Sequence, residues 1–350
     1  MPSTKGYRSY HGRGRAGKIV LVVMLCLLLL AAVGFLILQR YAVYGADGSI
    51  RFELPWSQPE KPADTDKIEG EEPEFVIVPP EEPEKIEPTE LHAAELDEAV
   101  LRGGADAALA ALGENVNAVA VRLKNEKGEL LYASALTGAV DAGAIKGDAA
   151  SLAAVKAVTE SDYYTIARVS TLHDSLYSFA HMAEAGVLQL KYPGYIWYDP
   201  DSTFFLAPEK EAAREYLVSI ARECAALGFD ELLFDSFAYP ARGRLANIDE
   251  SARTMTKQAA LALLAQELRE GAAEYDVRLS LQLDAETVLA GGNETNGQEL
   301  AVLAPLFDRI YVETTAEELP ALTAALEPYE AELVPILKEP PAAGSYLAGA

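Results

Sequence analysis

From residue 91 onward, apolar residues recur at two spacings, and each switch between them marks an element. Over 91–112 alanine and leucine keep a helical rhythm that stops near Gly113, so a helix is expected there. Residues 116–123 are a nearly unbroken apolar run and read as a buried strand, followed by a turn at Lys127 and Gly128. Helical spacing returns over 151–160, 163–169 reads as a strand, and 175–185 is helical again. A short extended piece is expected at 194–198.

The helix over 209–227 is the most sharply bounded. Pro208 suits its start, Glu209 and Glu211 suit the positive end of its dipole, and Gly228 stops it. Ala213, Leu217, Ile220, Cys224 and Leu227 share one face. Strands then fall over 231–235, 277–283, 309–313 and 333–337, with helices over 251–271, around 298–303 and over 316–326. Strands alternating with helices imply a parallel sheet with crossover helices. The pattern yields seven units over 91–350, one short of a closed (β/α)8 TIM barrel. The tail over 340–350 closes the ring, or the barrel is open, or a partner closes it. A doubly wound open sheet is the competing architecture, but no phosphate-binding glycine turn accompanies these strands.

The N-terminal quarter follows other rules. Residues 19–38 are uncharged and apolar, long enough for a transmembrane helix. Lys5, Arg8, Arg13, Arg15 and Lys18 precede them and orient the N-terminus to the cytoplasm. The rival is a cleaved signal peptide; the run exceeds a usual signal core, and Tyr44-Gly45-Ala46 is a poor cleavage site. An uncleaved single-pass anchor with an extracellular domain is therefore expected. Gly12, Gly14 and Gly17 spell a dinucleotide-type spacing, but no strand precedes them, so they belong to a basic tail over 1–18. Residues 39–90 read as a linker. From Glu69 to Glu90 it carries nine Glu and five Pro against one Lys, a composition that stays extended and unpacked. Residues 75–78 are a candidate short strand or docking segment within it.

Composition narrows the chemistry. A net charge of −25 argues against nucleic acid, which needs clustered Lys and Arg. Cys26 and Cys224 are the only cysteines and do not build a disulfide framework. His11 and His92 lie in tail and linker, and His173 and His181 lack a metal-ligand spacing. There is no H-E-x-x-H, no G-x-S-x-G and no P-loop, so no metal or cofactor is called for. Asn293-Glu294-Thr295 is a glycosylation sequon only in a eukaryotic secretory host. Asp235 stands at the end of a strand, and an acid at the carboxyl end of a barrel strand reads as chemistry; the plain alternative is a helix cap or a structural partner for an arginine.

Several blocks resemble a known family. Residues 163–174 (Tyr-Tyr-Thr-Ile-Ala-Arg-Val-Ser-Thr-Leu-His-Asp) are similar to an "iARi…FkD" block, and Trp197-Tyr198-Asp199-Pro200 to a "W-x-D-P" block. Residues 220–240 are similar to a segment ending "L-G-F-D-E-I-Q-F-D-Y-V-R-F-P". Residues 117–132, with Lys124 and Gly128, are similar to an opening strand "N-a-v-v-i-D-v-K-d-d-x-G", and Gly297-Gln298 with 303–311 to "G-Q-d-l-e-x-l-a-x-y-v-D-y-i". Together these resemble the bacterial putative glycoside hydrolase domain related to α-amylase-type barrels, over 110–313. Arg122 stands where that family usually has Asp, and 309–313 runs into Thr314-Thr315 in place of a Pro-Met-x-Tyr-Pro-Ser block.

The resemblance implies a carbohydrate ligand and two carboxylates flanking a glycosidic bond. In amylase-like barrels the attacking acid ends the fourth strand and the proton donor the fifth. Counting 116–123 as first and 194–198 as third, Asp235 is the implied nucleophile or base and Glu286 or Asp284 the acid. Capping of the next turn is the plain reading for both. Glu313 is a third rim acid, and Arg168 holds a sugar hydroxyl or orients Asp235. Trp197, Tyr198 and Tyr239 are candidate stacking rings, with core packing as the alternative, and Asp199 begins a turn with Pro200. Two functions follow: an anchored extracellular hydrolase of a polysaccharide, or an inactive barrel that binds a glycan or an envelope protein.

Overall fold

The computed structural model describes residues 87–349 apart from 252, 340 and 342, together with 42–44 and 50–52. The chain divides into two compact units, Met1–Pro79 and Pro80–Ala350. In the first, Ala42–Tyr44 and Ile50–Phe52 pair antiparallel, with Ala42 opposite Phe52. The expected anchor over 19–38 and the segment over 75–78 lie outside the described residues. No helix among the described residues is long and apolar enough to cross a membrane.

The second unit is a closed eight-stranded barrel. Its strands are β1 (His92–Leu96), β2 (Ala118–Lys124), β3 (Tyr164–Ser170), β4 (Glu231–Asp235), β5 (Arg278–Asp284), β6 (Arg309–Glu313), β7 (Glu332–Leu337) and β8 (Tyr346–Ala348). Every neighbouring pair is parallel, and β8 closes the ring by setting Tyr346 beside His92 of β1. The C-terminal tail thus supplies the eighth strand, and the open and partner-closed alternatives are ruled out.

Two sequence expectations need correction, and their errors cancel. The helix expected over 91–112 is β1, a 3-10 turn Glu98–Arg102 and a short helix Ala105–Ala110, broken by Gly103 and Gly104 at positive φ. The piece over 194–198 is no barrel strand. One strand missed and one added leave Glu231–Asp235 fourth in the ring.

Alternation along each strand sorts the side chains into two cores. Ala118 and Ala120 of β2, Tyr164 and Ile166 of β3, Leu233 of β4, Tyr311 of β6, Val334 and Ile336 of β7 and Leu347 of β8 fill the interior. The residues between them, such as Val119, Val121, Ala167, Leu232 and Phe234, pack outward against the helices. Helix Glu211–Ala226 buries Ala213, Tyr216, Leu217, Ile220, Ala221 and Cys224 in that outer layer. Burying a residue such as Leu217 contributes about 1.5–3 kcal/mol. Gly228, at φ 89°, then ends the helix in a left-handed cap and feeds β4.

The barrel floor, at the N-terminal ends of the strands, is tied by charge. Arg309 donates to Glu231 at 2.6 Å, to Glu332 at 2.9 Å and to Glu87 at 2.6 Å, and the Tyr164 hydroxyl lies 3.0 Å from Glu231. The end of the acidic linker is thereby pinned to the floor.

The family-like blocks prove to be fold determinants. Lys124 and Asp174 are wholly buried and meet at 2.9 Å. The Lys124 ammonium also donates to the Ser170 carbonyl at 2.8 Å, while Asp174 accepts from the Tyr177 amide at 2.8 Å and caps helix Ser175–Ala180. Gly128, at φ 89°, lies so close that a Cβ there would sit 2.0 Å from Asp174 Oδ1. Lysine and glycine of one motif and the aspartate of another thus form one buried ion pair and its cover. Gln298 is buried and donates to the Phe237 carbonyl at 3.1 Å, fixing the loop that leaves β4.

Candidate functional site

The inward alternation carries polar residues at the C-terminal end of nearly every strand. Glu95 of β1, Arg122 of β2, Arg168 of β3, Gln282 and Asp284 of β5 and Glu313 of β6 line an open cavity of about 960 Å³ at the barrel mouth. Thr314, Thr315, Ile336, Leu337, Lys338 and Gly349 are also part of its wall. The mouth therefore combines charged groups with an apolar side of similar extent, as small-molecule sites do.

Asp235 ends β4 directly beneath this surface and is 6 % exposed. Its Oδ2 accepts from Arg122 Nη1 at 2.7 Å and from Arg168 Nη2 at 3.4 Å. Arg168 Nη1 donates to both Glu95 oxygens at 2.6 Å, and its Nη2 donates to Gln282 Oε1 at 2.8 Å. Two guanidinium groups thus neutralise two carboxylates, an arrangement that keeps buried charge tolerable. Burial alone would lower the pKa of Arg122, but Asp235, then Glu95 and Glu98, hold it above its ordinary value. Arg122 is thus a permanent cation against Asp235. Asp235 Oδ1 is buried with no hydrogen-bond partner among the described residues. Ser236 follows at φ 52°, a left-handed turn in a non-glycine residue that swings the chain away from the strand end.

The position on β5 that faces this cluster is an amide, Gln282. Asp284 lies one pleat further out, exposed, and in register with Glu313 across the β5–β6 pair. Asp284 occupies the N-cap of helix Ala285–Ala290 but its side chain makes no capping bond. Glu286 is exposed in the first turn of that helix and is not among the residues lining the mouth.

The expected binding residues divide. Arg168 and Glu313 line the mouth. Trp197 is 2 % exposed, donates Nε1–H to the Arg244 carbonyl at 3.1 Å, and clusters with Val187, Ala207 and Ile248. Tyr239 is buried; its hydroxyl donates to Glu209 at 2.5 Å, and Arg253 and Lys257 stand over its ring. Burial first, then Glu209, pushes that phenol far above its usual range. Neither ring offers an open face, whereas Tyr198 is exposed. Asp199 builds the expected turn, its Oδ1 accepting from the amides of Asp201 and Thr203 and from the Thr203 hydroxyl. These bonds outweigh burial, which alone would raise it, and hold Asp199 below its usual range.

Glu95 and Gln282 escaped the sequence reading. Glu95 falls in the run whose spacing predicts a helix; its place two residues after Ala93 in a strand is the signal that sets it inward. Gln282 sits two residues after Ser280, the same alternation. No group of three or more His, Cys, Asp or Glu among the described residues could hold a metal ion.

A closed parallel barrel with polar residues at the carboxyl ends of its strands is an architecture on which many different enzymes are built. A family model described as "putative glycosyl hydrolase domain" matches residues 106–312, more than half of the chain, and the chain belongs to that family. The match spans β2 to β6 and leaves β1, β7 and β8 outside it. Among solved structures, the chain is similar to a hypothetical protein from Ruminiclostridium thermocellum, at 22% identity, TM-score 0.45, over 54% of this chain and 96% of that one. It is similar to the PgaB (BpsB) glycoside hydrolase domain from Bordetella bronchiseptica, at 16% identity, TM-score 0.47, over 70% of this chain and 82% of that one. The glycoside hydrolase domain of PelA from Pseudomonas aeruginosa matches at 13% identity, TM-score 0.41, over 71% and 84%. No curated protein matches the chain.

Proposed function

We propose that this member of the glycosyl hydrolase domain family binds a glycan at the barrel mouth without cleaving it. One observation carries the reading: Arg122 Nη1 holds Asp235 Oδ2 at 2.7 Å. A carboxylate that attacks a sugar, or activates water beside it, must reach the substrate. Asp235 is instead covered and neutralised by the residue that stands where the family usually has Asp. The facing position on β5, Gln282, has no proton to donate as an acid. What the mouth presents is a set of fixed donors and acceptors: the guanidinium edge of Arg122, and the carboxylates of Glu95, Asp284 and Glu313, with Arg168 holding Glu95 and Gln282 in place behind them. Such groups suit sugar hydroxyls.

The alternative is hydrolysis, with Asp235 as nucleophile or base and Asp284 or Glu286 as acid. It is favoured by the family's name and by the exposed pair Asp284 and Glu313 at the rim.

In the same proposal, residues 19–38 anchor the chain in the cell membrane, with the N-terminus cytoplasmic and the barrel extracellular on its acidic linker. A glycan array probed with Pro80–Ala350, which holds all eight strands, tests the ligand class. Selective retention of a glycan, weakened by Glu313→Ala, supports the reading; an array with no retained glycan refutes it.

A further inference from the structure

Three tyrosines stand open to solvent on the loop between β3 and β4. Tyr192 is 54 % exposed, Tyr195 66 % and Tyr198 55 %, and Leu190 beside them is equally open. They ride on a small hairpin. Leu188 bridges Ile196 antiparallel, the Gln189 amide donates to the Tyr195 carbonyl at 2.8 Å, and Gly194 at φ 87° makes the turn.

The hairpin is held from below and from the side. Trp197 is buried between the tyrosines in sequence, and its amide donates to the Val187 carbonyl at 2.7 Å. The Leu190 amide donates to the Asn247 carbonyl at 2.7 Å, and the Asp249 amide to the Leu188 carbonyl at 2.9 Å, which ties the hairpin to the β4–β5 loop. Both loops leave the carboxyl ends of strands, the side of the barrel that bears the mouth.

Exposed aromatic rings close together in sequence on a fixed backbone mark a contact surface; the Lys191 ammonium stands 5.3 Å from the Tyr192 ring centre and leaves the other face of that ring free. Tyrosine supplies a flat apolar face and a hydroxyl at little entropic expense, because two torsions set the ring. The partner's chemistry follows from charge. With −25 on the chain, a polyanion such as nucleic acid or an anionic membrane is repelled. A neutral polymer with alternating C–H faces and hydroxyls fits. Resting on the glycan reading of the mouth, we propose that Tyr192, Tyr195 and Tyr198 form a stacking platform for a polysaccharide chain. The platform holds the polymer at the rim, and the mouth takes a short segment of it.

The test separates platform from mouth by ligand length. Pro80–Ala350 and its Tyr192→Ala/Tyr195→Ala/Tyr198→Ala variant are titrated with maltotriose and amylose and with chitotriose and chitin, alongside phosphatidylglycerol vesicles. Because the rings are exposed, the variant keeps the wild-type melting temperature. The expected result is a loss of about tenfold or more in polymer affinity at unchanged trisaccharide affinity, restored by Tyr→Trp at the same positions. Trisaccharide binding with polymer affinity unmoved by the triple substitution overturns the platform and leaves the mouth standing. Ring-dependent binding to vesicles in place of polymer also overturns it. Wild-type protein that binds neither polymer overturns the platform, whereas the mouth reading falls only if the glycan array also retains nothing.

Discussion

Replacing Lys124 by Met should be among the most damaging single changes in the barrel. The ammonium and the Asp174 carboxylate are both 0 % exposed and 2.9 Å apart. Methionine keeps the volume of the side chain and removes its charge. Asp174 then retains the Tyr177 amide but loses its countercharge, and the Ser170 carbonyl loses its donor. Breaking one partner of a buried pair costs about 3–5 kcal/mol. At roughly 2–4 °C per kcal/mol for a domain of this size, the melting temperature falls by about 6–20 °C. Arg242→Met is the control: its pair with Asp201, at 2.7 Å, is 71 % and 62 % exposed, its second contact, to the buried Asp199, is long at 3.4 Å and Asp199 keeps its bonds to Asp201 and Thr203, and exposed pairs contribute less than about 1 kcal/mol. Thermal unfolding of Pro80–Ala350 followed by circular dichroism reads both. Lys124→Met/Asp174→Asn should recover part of the loss, since the stranded charge is gone while the cap acceptor stays. A Lys124→Met melting point indistinguishable from the Arg242→Met control would show that the pair does not hold this fold.

Three further outcomes follow from the same geometry. Gly128→Ala loses about 1–3 kcal/mol from its left-handed backbone alone, and more from the clash with Asp174, and should unfold at visibly lower urea. His173 has its pKa lowered by burial first, and Glu126 and Asp199 only partly offset this. The unfolded chain therefore binds the extra proton, stability held above about pH 6.5 is lost as pH falls through the lowered value, and His173→Gln flattens urea midpoints compared at pH 7.5 and 5.5. Burial pushes the Cys224 thiol up to about 12, so in Pro80–Ala350 it should stay unreactive to a thiol reagent until the protein is denatured; rapid native labelling contradicts this.

The alternation of strand and helix made the barrel readable, but the ring's two ends were not. β1 is His-Ala-Ala-Glu-Leu, with little intrinsic strand preference. It is a strand because β2 and β8 flank it, a tertiary fact that local spacing does not carry. β8 has three residues, too short for a period to register. The site was legible in part for the same reason. Asp235 and Arg168 end strands with clear apolar runs, so their place at the mouth side could be read. Glu95 was hidden in the unread strand, and the grip of Arg122 on Asp235 joins residues 113 positions apart. Buried Trp197 and exposed Tyr198 are neighbours in sequence; only the packing of the hairpin decides which ring faces water.

Arg122 holds Asp235 at 2.7 Å, and the proposed consequence is a barrel that binds a glycan without hydrolysing it. The deciding measurement is the release of new reducing ends from the glycan that Pro80–Ala350 retains best, compared between the wild type and Asp235→Asn. The expected result is no release by either protein while the glycan stays bound. Release by the wild type that Asp235→Asn abolishes would contradict the claim and make this barrel a working glycosidase.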